Sequence, residues 1–233
     1  LNIEIPNTKQ TKDIERQPFT DTDMKIIFPG SDYGVDFGFQ KSGTAPEVKF
    51  WFPLFAAFTG ARLEEIAQLK VSDIQICTNT GIVYAMIDNK GVAADGQKKR
   101  TKNLNSVRPI PLHTMLFKIG FADYLDERRQ LGDESSLFPL KRNKQGRLAK
   151  HVADWFSRYE KKEGKSPRLG YIERRGIKSK NQAPSGERWS KSFHSFRHSI
   201  IDNLRGGRLS NGEYIREPDI GLVVGHDKEK LET

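Results

Sequence analysis

The stretch from Val48 through Phe58 limits this chain more than any other feature. It is strongly apolar, carrying Phe50, Trp51, Phe52, Leu54, Phe55 and Phe58, and is too long for one ordinary strand. It therefore reads as a buried helix at the centre of the core. With 233 residues the chain is long enough to bury a substantial core as one large domain, or as one domain with a small appendage.

The elements around that helix can be placed from punctuation and periodicity. Thr20, followed by Asp21 and Asp23 and then Met24, Ile26, Ile27 and Phe28, reads as a capped short helix closed by Pro29-Gly30. A glycine-containing loop spans 31–46. After Thr59-Gly60 a second helix begins, with Leu63, Ile66 and Ala67 on one face, and Val71-Ser72-Asp73 ends it. Residues 82–88 are β-branched and apolar, and 107–112 form a shorter run whose Pro109 and Pro111 suit an edge strand. Those two runs predict a small sheet with the basic loop 97–105 between its strands. Helical patterning returns over 115–131 and 148–160, then over 193–204 and 219–224. Residues 161–191, rich in Lys and Arg with Gly and Pro interspersed, read as a basic surface loop. The fold class this implies is α+β, mainly α-helical with a small antiparallel β-sheet.

Lys+Arg number 39 against 30 Asp+Glu, a formal net charge of +9. An anionic partner is favoured, and nucleic acid is the commonest one. Cys77 is the only cysteine, which excludes an internal disulfide and any multi-cysteine zinc site and suits a reducing compartment. Its expected role is that of a small buried apolar residue. No apolar run is long enough to span a bilayer and no signal-peptide layout opens the chain, so the reading is cytoplasmic or nucleoid-associated, with no membrane. Residues 1–17 are polar and read as a linker into a domain over 18–233. Leu1 in place of an initiator Met reads as trimming at the front.

Two short stretches far apart carry the chemistry: Thr59-Gly60-Ala61-Arg62-Leu63-Glu64-Glu65, and His194-Ser195-Phe196-Arg197-His198 followed by Gly225-His226. His194 and Arg197, at i and i+3, share one side of a helix that Ser192 can cap. Lys102 sits between the two strand-like runs. Taken singly each motif is weak, since HxxR is common and a lone Arg is usually a solvated charge. The acidic residues are scattered, so the sequence implies no metal and no other cofactor.

Taken together, in this order, the residues resemble the tyrosine recombinases of the phage integrase family. Those catalytic domains carry an arginine in a TGxRxxE segment, a lysine on a β-hairpin, HxxR, and then GH. The resemblance spans nearly the whole chain and implies the mainly helical recombinase catalytic fold, its small sheet carrying the lysine hairpin. It also implies site-specific DNA recombination through a 3′-phosphotyrosyl intermediate. Arg62 and Arg197 would clamp the scissile phosphate, as planar guanidiniums suit two oxygens at once. Lys102 would protonate the leaving 5′ oxygen. His194 would take the nucleophile's proton or hydrogen-bond a phosphate oxygen, His226 would add a further hydrogen bond, and Glu65 would orient Arg62 or His194. His198 reads as structural, and His113 and His151 as surface residues.

Beyond the pocket, Lys98, Lys99 and Arg100 in the hairpin loop, and Arg174, Arg175, Lys178 and Lys180 in the basic segment, are candidate contacts to the backbone of double-stranded DNA. Lys98, Lys99 and Arg100 also compete with Lys102 for the general-acid role. The family's tyrosine follows the GH histidine by a short interval, which falls past Thr233. None of Tyr33, Tyr84, Tyr124, Tyr159, Tyr171 or Tyr214 stands in that place. The expectation is a catalytic domain cut before its nucleophile, inactive alone and preceded in the full protein by a DNA-binding domain. The full protein is expected to act as a homotetramer on DNA within a mobile element. A type IB topoisomerase and a noncatalytic DNA-binding homologue remain as alternatives.

Overall fold

The computed structural model describes residues 15–34, 44–101, 106–160, 168–182 and 188–225. A two-residue strand, β1 (Glu15–Arg16), leads into helix α1 (Asp21–Ile27). Its cap is the expected one. Thr20 Oγ1 accepts from the Asp23 N–H at 3.1 Å, and the Asp23 carboxylate accepts from the Thr20 N–H at 2.9 Å.

The apolar run is a helix, α2 (Pro46–Thr59), with Val48, Trp51, Phe52, Leu54 and Phe55 buried. Pro53 lies inside it. Having no N–H, Pro53 leaves the Lys49 carbonyl without its intrahelical donor. The Tyr33 hydroxyl sits beside that gap, donating to Phe50 O at 2.7 Å and lying 3.4 Å from Lys49 O. Aromatic side chains then lock α2 into the core. Phe52 and Phe55 pack on Phe138 at 5.1 and 5.7 Å between ring centroids, Trp51 stacks on Tyr124 at 5.4 Å, and Phe52 meets Phe193 edge-on at 5.7 Å.

Helix α3 (Leu63–Ala67) follows directly, and then a three-stranded antiparallel sheet in the order β2–β3–β4, made of β2 (Ile74–Ile76), β3 (Val83–Ile87) and β4 (Arg108–Pro111). Ile87 pairs with Arg108 and Tyr84 with Pro111, so the prolines sit on an edge strand. Strand β2 was not foreseen from the sequence. Cys77, just past it, is half-exposed rather than buried. The β2–β3 hairpin has run beyond the core there, as the exposure of Ile76 and Ile82 also shows.

The helix expected over 115–131 is two helices, α4 (Thr114–Lys118) and α5 (Phe121–Arg129). The chain turns at Gly120, where φ is +96°, and that turn lets Leu116, Phe121, Tyr124 and Leu125 all reach the core. Helix α6 (Lys150–Ser157) places Phe156 4.2 Å from Phe193. The segment read as a surface loop is in part ordered structure: β5 (Tyr159–Glu160) pairs antiparallel with β6 (Arg168–Leu169), and α7 (Tyr171–Arg174) follows. Tyr171, Ile172 and Ile177 are buried, and Tyr171 donates to Ile27 O at 2.8 Å. Those apolar residues anchor a stretch whose charge dominated its composition.

Strands β7 (Lys180–Gln182) and β8 (Arg188–Ser190) are antiparallel, and β1 adds to β8 in parallel, pairing Arg16 with Ser190. The long helix α8 (Phe193–Gly206) lies against α2, and α9 (Glu217–Val224) packs on α8 through Ile201, Ile220 and Val224.

Replacing Tyr33 with Phe is expected to lower stability to urea by about 1 kcal/mol, since it removes the hydroxyl's hydrogen bond to α2. Pro53→Ala restores a backbone donor, so the loss should shrink when the two changes are combined. Urea melts of the four proteins measure that coupling.

Candidate anion-binding site

The site is assembled where α2 ends. Thr59 donates to Phe55 O at 2.6 Å and accepts from the Ala61 N–H at 3.3 Å, and Gly60 takes the left-handed conformation (φ +60°) that turns the chain out of the helix. A side chain at Gly60 would also crowd Ile200 of α8 at 3.2 Å. The Thr-Gly pair thus delivers Arg62 as the N-cap residue of α3, with its side chain directed back toward the α2–α8 junction.

Glu65, buried on α3, holds Arg62 at two points. Its Oε2 accepts from the Arg62 backbone N–H at 2.9 Å and its Oε1 from Nη1 at 2.8 Å. Nη1 also donates to Ser106 Oγ and Nη2 to Gly225 O, each at 2.8 Å. Of the two roles expected of Glu65, the geometry matches the orienting of Arg62. Arg62 keeps Nε–H and one Nη2 proton outside these bonds, and 18 % of its side-chain surface is exposed.

Arg197 arrives from α8. Ser192 caps that helix, accepting from the His194 N–H at 3.3 Å while the Ser192 N–H donates to Ser195 Oγ at 3.0 Å. One turn in, Phe193 and Phe196 draw this face of the helix into the aromatic core, and Arg197 goes with them to 2 % exposure. Its Nη1 donates to Gly60 O at 3.0 Å, but its Nη2 is buried with no hydrogen-bond partner among the described residues. A buried guanidinium half without an acceptor is costly. An anion is the group that would satisfy it.

A third guanidinium was missed from the sequence. Arg108, on β4 and 6 % exposed, donates from Nε to Val223 O at 2.9 Å, from Nη1 to Ser106 O at 2.7 Å and from Nη2 to Glu65 Oε2 at 3.2 Å. The signal was available. Arg108 alternates with Ile110 and Leu112 on the inward face of the strand, where an arginine needs a buried partner.

Two guanidiniums therefore share one carboxylate, and the third, Arg197, is held by the Gly60 carbonyl two residues before Arg62. Desolvation, then the charges of Arg62 and Arg108, hold Arg197 down at about 9 against a partial offset from Glu65. Burial, helped by His198, Arg16, Arg197 and Arg62, pushes His194 down to about 3. His194 is thus neutral at working pH, with its ring 5.0 Å from that of His198. A neutral imidazole can accept a proton, and an anion placed beside it would raise its basicity.

Lys102 and His226 lie outside the described residues. Among the hairpin cations, Lys98 and Arg100 are exposed. The Arg100 backbone is gripped by the Gln68 amide, which donates to its carbonyl at 2.9 Å and accepts from its N–H at 2.7 Å. Lys99 departs from the expected surface contact. It is buried, with Nζ 2.8 Å from both carboxylate oxygens of Asp73 and 3.5 Å from Asp88, because its position on the loop turns it under the sheet toward those two acids. Arg174 and Arg175 sit at the end of α7, with Arg174 Nη1 donating to Leu169 O at 3.2 Å, and Lys178 and Lys180 are exposed beyond it. Among the described residues no cluster of three or more His, Cys, Asp or Glu could hold a metal ion, and no helix is long and apolar enough to cross a membrane.

Comparison with known proteins finds no matching family model and no curated protein similar in sequence. Similarity of shape is clear. A structure of XerH site-specific recombinase bound to difH substrate, a pre-cleavage complex, aligns over 93 % of this chain and 49 % of its own at a TM-score of 0.50 and 16 % identity. The chain has the tyrosine-recombinase catalytic fold. XerA recombinase aligns over 98 % of this chain and 61 % of its own, at a TM-score of 0.46 and 15 % identity. The chain spans about half the length of the XerH recombinase and less than two thirds of XerA. In this recombinase-fold chain, hydrogen bonds join Arg62 and Arg108 to Glu65 and to the end of α9, and Arg197 binds the Gly60 carbonyl two residues before Arg62, with His194 one turn earlier on α8.

The depressed His194 value sets a pH dependence. The unfolded chain takes up a proton near pH 6.5 and the folded chain only near 3, so stability is complete above about pH 6.5 and falls as pH drops toward 3, by at most about 1.4 kcal/mol per pH unit. Urea melts from pH 7 to pH 4 should show that slope, and His194→Gln should flatten it.

Proposed function

We propose that this chain is the catalytic part of a site-specific DNA recombinase that breaks and rejoins strands by transesterification. The carrying observation is Arg197, buried to 2 % with an unpartnered Nη2, beside Arg62 and Arg108, with Glu65 as the one carboxylate in contact with them. That excess of fixed positive charge suits a phosphodiester, whose nonbridging oxygens gain negative charge on the way to a pentacoordinate phosphorus. Preorganised donors of this kind are the largest catalytic contribution in many enzymes.

In this reading a tyrosine hydroxyl attacks phosphorus, the new P–O(Tyr) bond forms as the P–O5′ bond breaks, and the 3′-phosphotyrosyl link conserves the bond energy. Arg62 and Arg197 hold the nonbridging oxygens. The tyrosine proton goes to neutral His194, and the 5′ oxygen receives one from Lys102, with His226 donating a further hydrogen bond to the phosphate. The hydroxyls of Tyr33, Tyr84, Tyr124, Tyr171 and Tyr214 are all engaged away from this cluster, with Phe50, Gln75, Leu137, Ile27 and Arg208. In this reading the nucleophile is the tyrosine that the family resemblance places a short interval after the GH histidine, at a position past Thr233. Lys98, Arg100, Arg175, Lys178 and Lys180 supply contacts to the duplex backbone, the full-length protein acts as a tetramer on two DNA partners, and it works in the cytoplasm of a bacterium or its phage.

Full-length protein mixed with a nicked duplex, from which the short strand is lost after cleavage, should trap a covalent protein–DNA adduct. Arg197→Ala should slow adduct formation by about 10²- to 10³-fold while DNA affinity changes only a few-fold. Bound DNA with no adduct would refute the enzyme, and relaxation of a plasmid that lacks any attachment site would assign the chemistry to a topoisomerase instead.

A further inference from the structure

Arg108 differs from the two phosphate-facing arginines in how its nitrogens are used. Nε, Nη1 and Nη2 each reach a protein acceptor, on three separate parts of the molecule. Val223 O belongs to the last turn of α9, where carbonyls lack intrahelical donors. Ser106 O closes the loop that leads from the basic hairpin into β4. Glu65 Oε2 is the carboxylate oxygen that also accepts from the Arg62 backbone. The guanidinium further serves as the floor under Gly225. A Cβ at that glycine would lie 2.7 Å from Arg108 Nη1 and 3.0 Å from its Cζ, and the backbone there is left-handed at φ +69°. The Gly225 carbonyl is meanwhile held by Arg62 Nη2 at 2.8 Å.

Resting on the recombinase reading, we propose that Arg108 is a positioning residue for strand cleavage. Through Glu65 it fixes Arg62, and through Val223 and Gly225 it fixes the end of α9. It does not touch the DNA. The two cations at the end of α9 also complement the negative end of that helix, so the exit of the chain and the arginine clamp are held by the same pair of side chains. Gly225 is required on two counts, its backbone angle and the guanidinium packed beneath it. Loss of the planar fork leaves Glu65 with Arg62 alone and removes the guanidinium's bonds to Val223 O and Ser106 O, and a shift of about 1 Å in a clamping group is enough to slow a reaction about 100-fold.

The test compares full-length wild type with Arg108→Ala and Arg108→Lys on the nicked duplex, measuring DNA affinity, single-turnover adduct formation, and hydrogen exchange of the Arg62 guanidinium by NMR. Expected are affinity within about threefold of wild type, adduct formation slowed about 100-fold, and faster exchange at Arg62. Guanidinium ion added at low concentration should recover much of the lost rate in Arg108→Ala and do nothing for wild type. If Arg108→Ala fails to fold, Arg108→Lys keeps the charge and length without the fork and decides the matter. A wild-type rate in Arg108→Lys, or affinity and rate falling together with no rescue by guanidinium, overturns the proposal. Absence of adduct in wild type would instead refute the recombinase reading, and the Arg62 exchange would still decide the positioning claim: unchanged exchange in Arg108→Lys overturns it.

Discussion

The Glu65 carboxylate is the interaction on which the rest of this site depends. It is buried on α3 and lies within hydrogen-bond reach of both Arg62 and Arg108. Without it, three guanidiniums would share a low-dielectric pocket with no counter-charge, an arrangement whose desolvation and mutual repulsion no packing would offset. With it, two are compensated in common and the third, Arg197, keeps its surplus. Burial first, and then that surplus of positive charge, lowers Arg197 and His194, and an anion would offset the lowering of both.

A surplus of this size persists only in a rigid frame. The frame is aromatic: Phe156 lies 4.2 Å from Phe193, Phe19 4.8 Å from Phe196 and Phe52 5.1 Å from Phe138, and each such pair contributes about 0.5 to 1.5 kcal/mol beyond its buried area. Phe193 and Phe196 belong to the same helix as His194 and Arg197, so the packing that buries α8 is what drags Arg197 out of water. Ser199 adds a polar fastening. Its hydroxyl accepts from Phe19 N–H at 2.9 Å and lies 3.0 Å from the Phe19 carbonyl, tying the entry of the chain to the same helix.

Local signals were legible in the sequence where local physics decides the outcome. The Thr20 and Ser192 caps, the α2 helix, the break at Thr59-Gly60 and the proline-bearing edge strand all depend on residues close in sequence. What escaped depends on partners far away. Arg108 and Ser106 gain their meaning from Glu65, Arg62 and Val223, none of them near in sequence. Lys99 looked like one more cation in a basic loop and is instead buried against Asp73. The helix over 115–131 was read whole because its apolar spacing is continuous, whereas the turn at Gly120 serves to bring Phe121 onto Trp51, with ring centroids 5.4 Å apart. Order in the basic segment was hidden by its charge, since Tyr171 and Ile172 contribute little to composition yet fix α7 against α1 and α6.

The central claim is that Arg62 and Arg197 form one preorganised clamp for a single phosphate. The most direct measurement is titration of the protein with inorganic phosphate, followed through the arginine side-chain resonances by NMR. The account predicts saturable binding at one site, with the signals of Arg62 and Arg197 moving together, His194 becoming more basic, and Arg108 unmoved. Shifts spread over the exposed lysines and arginines, with Arg197 unaffected, would contradict it.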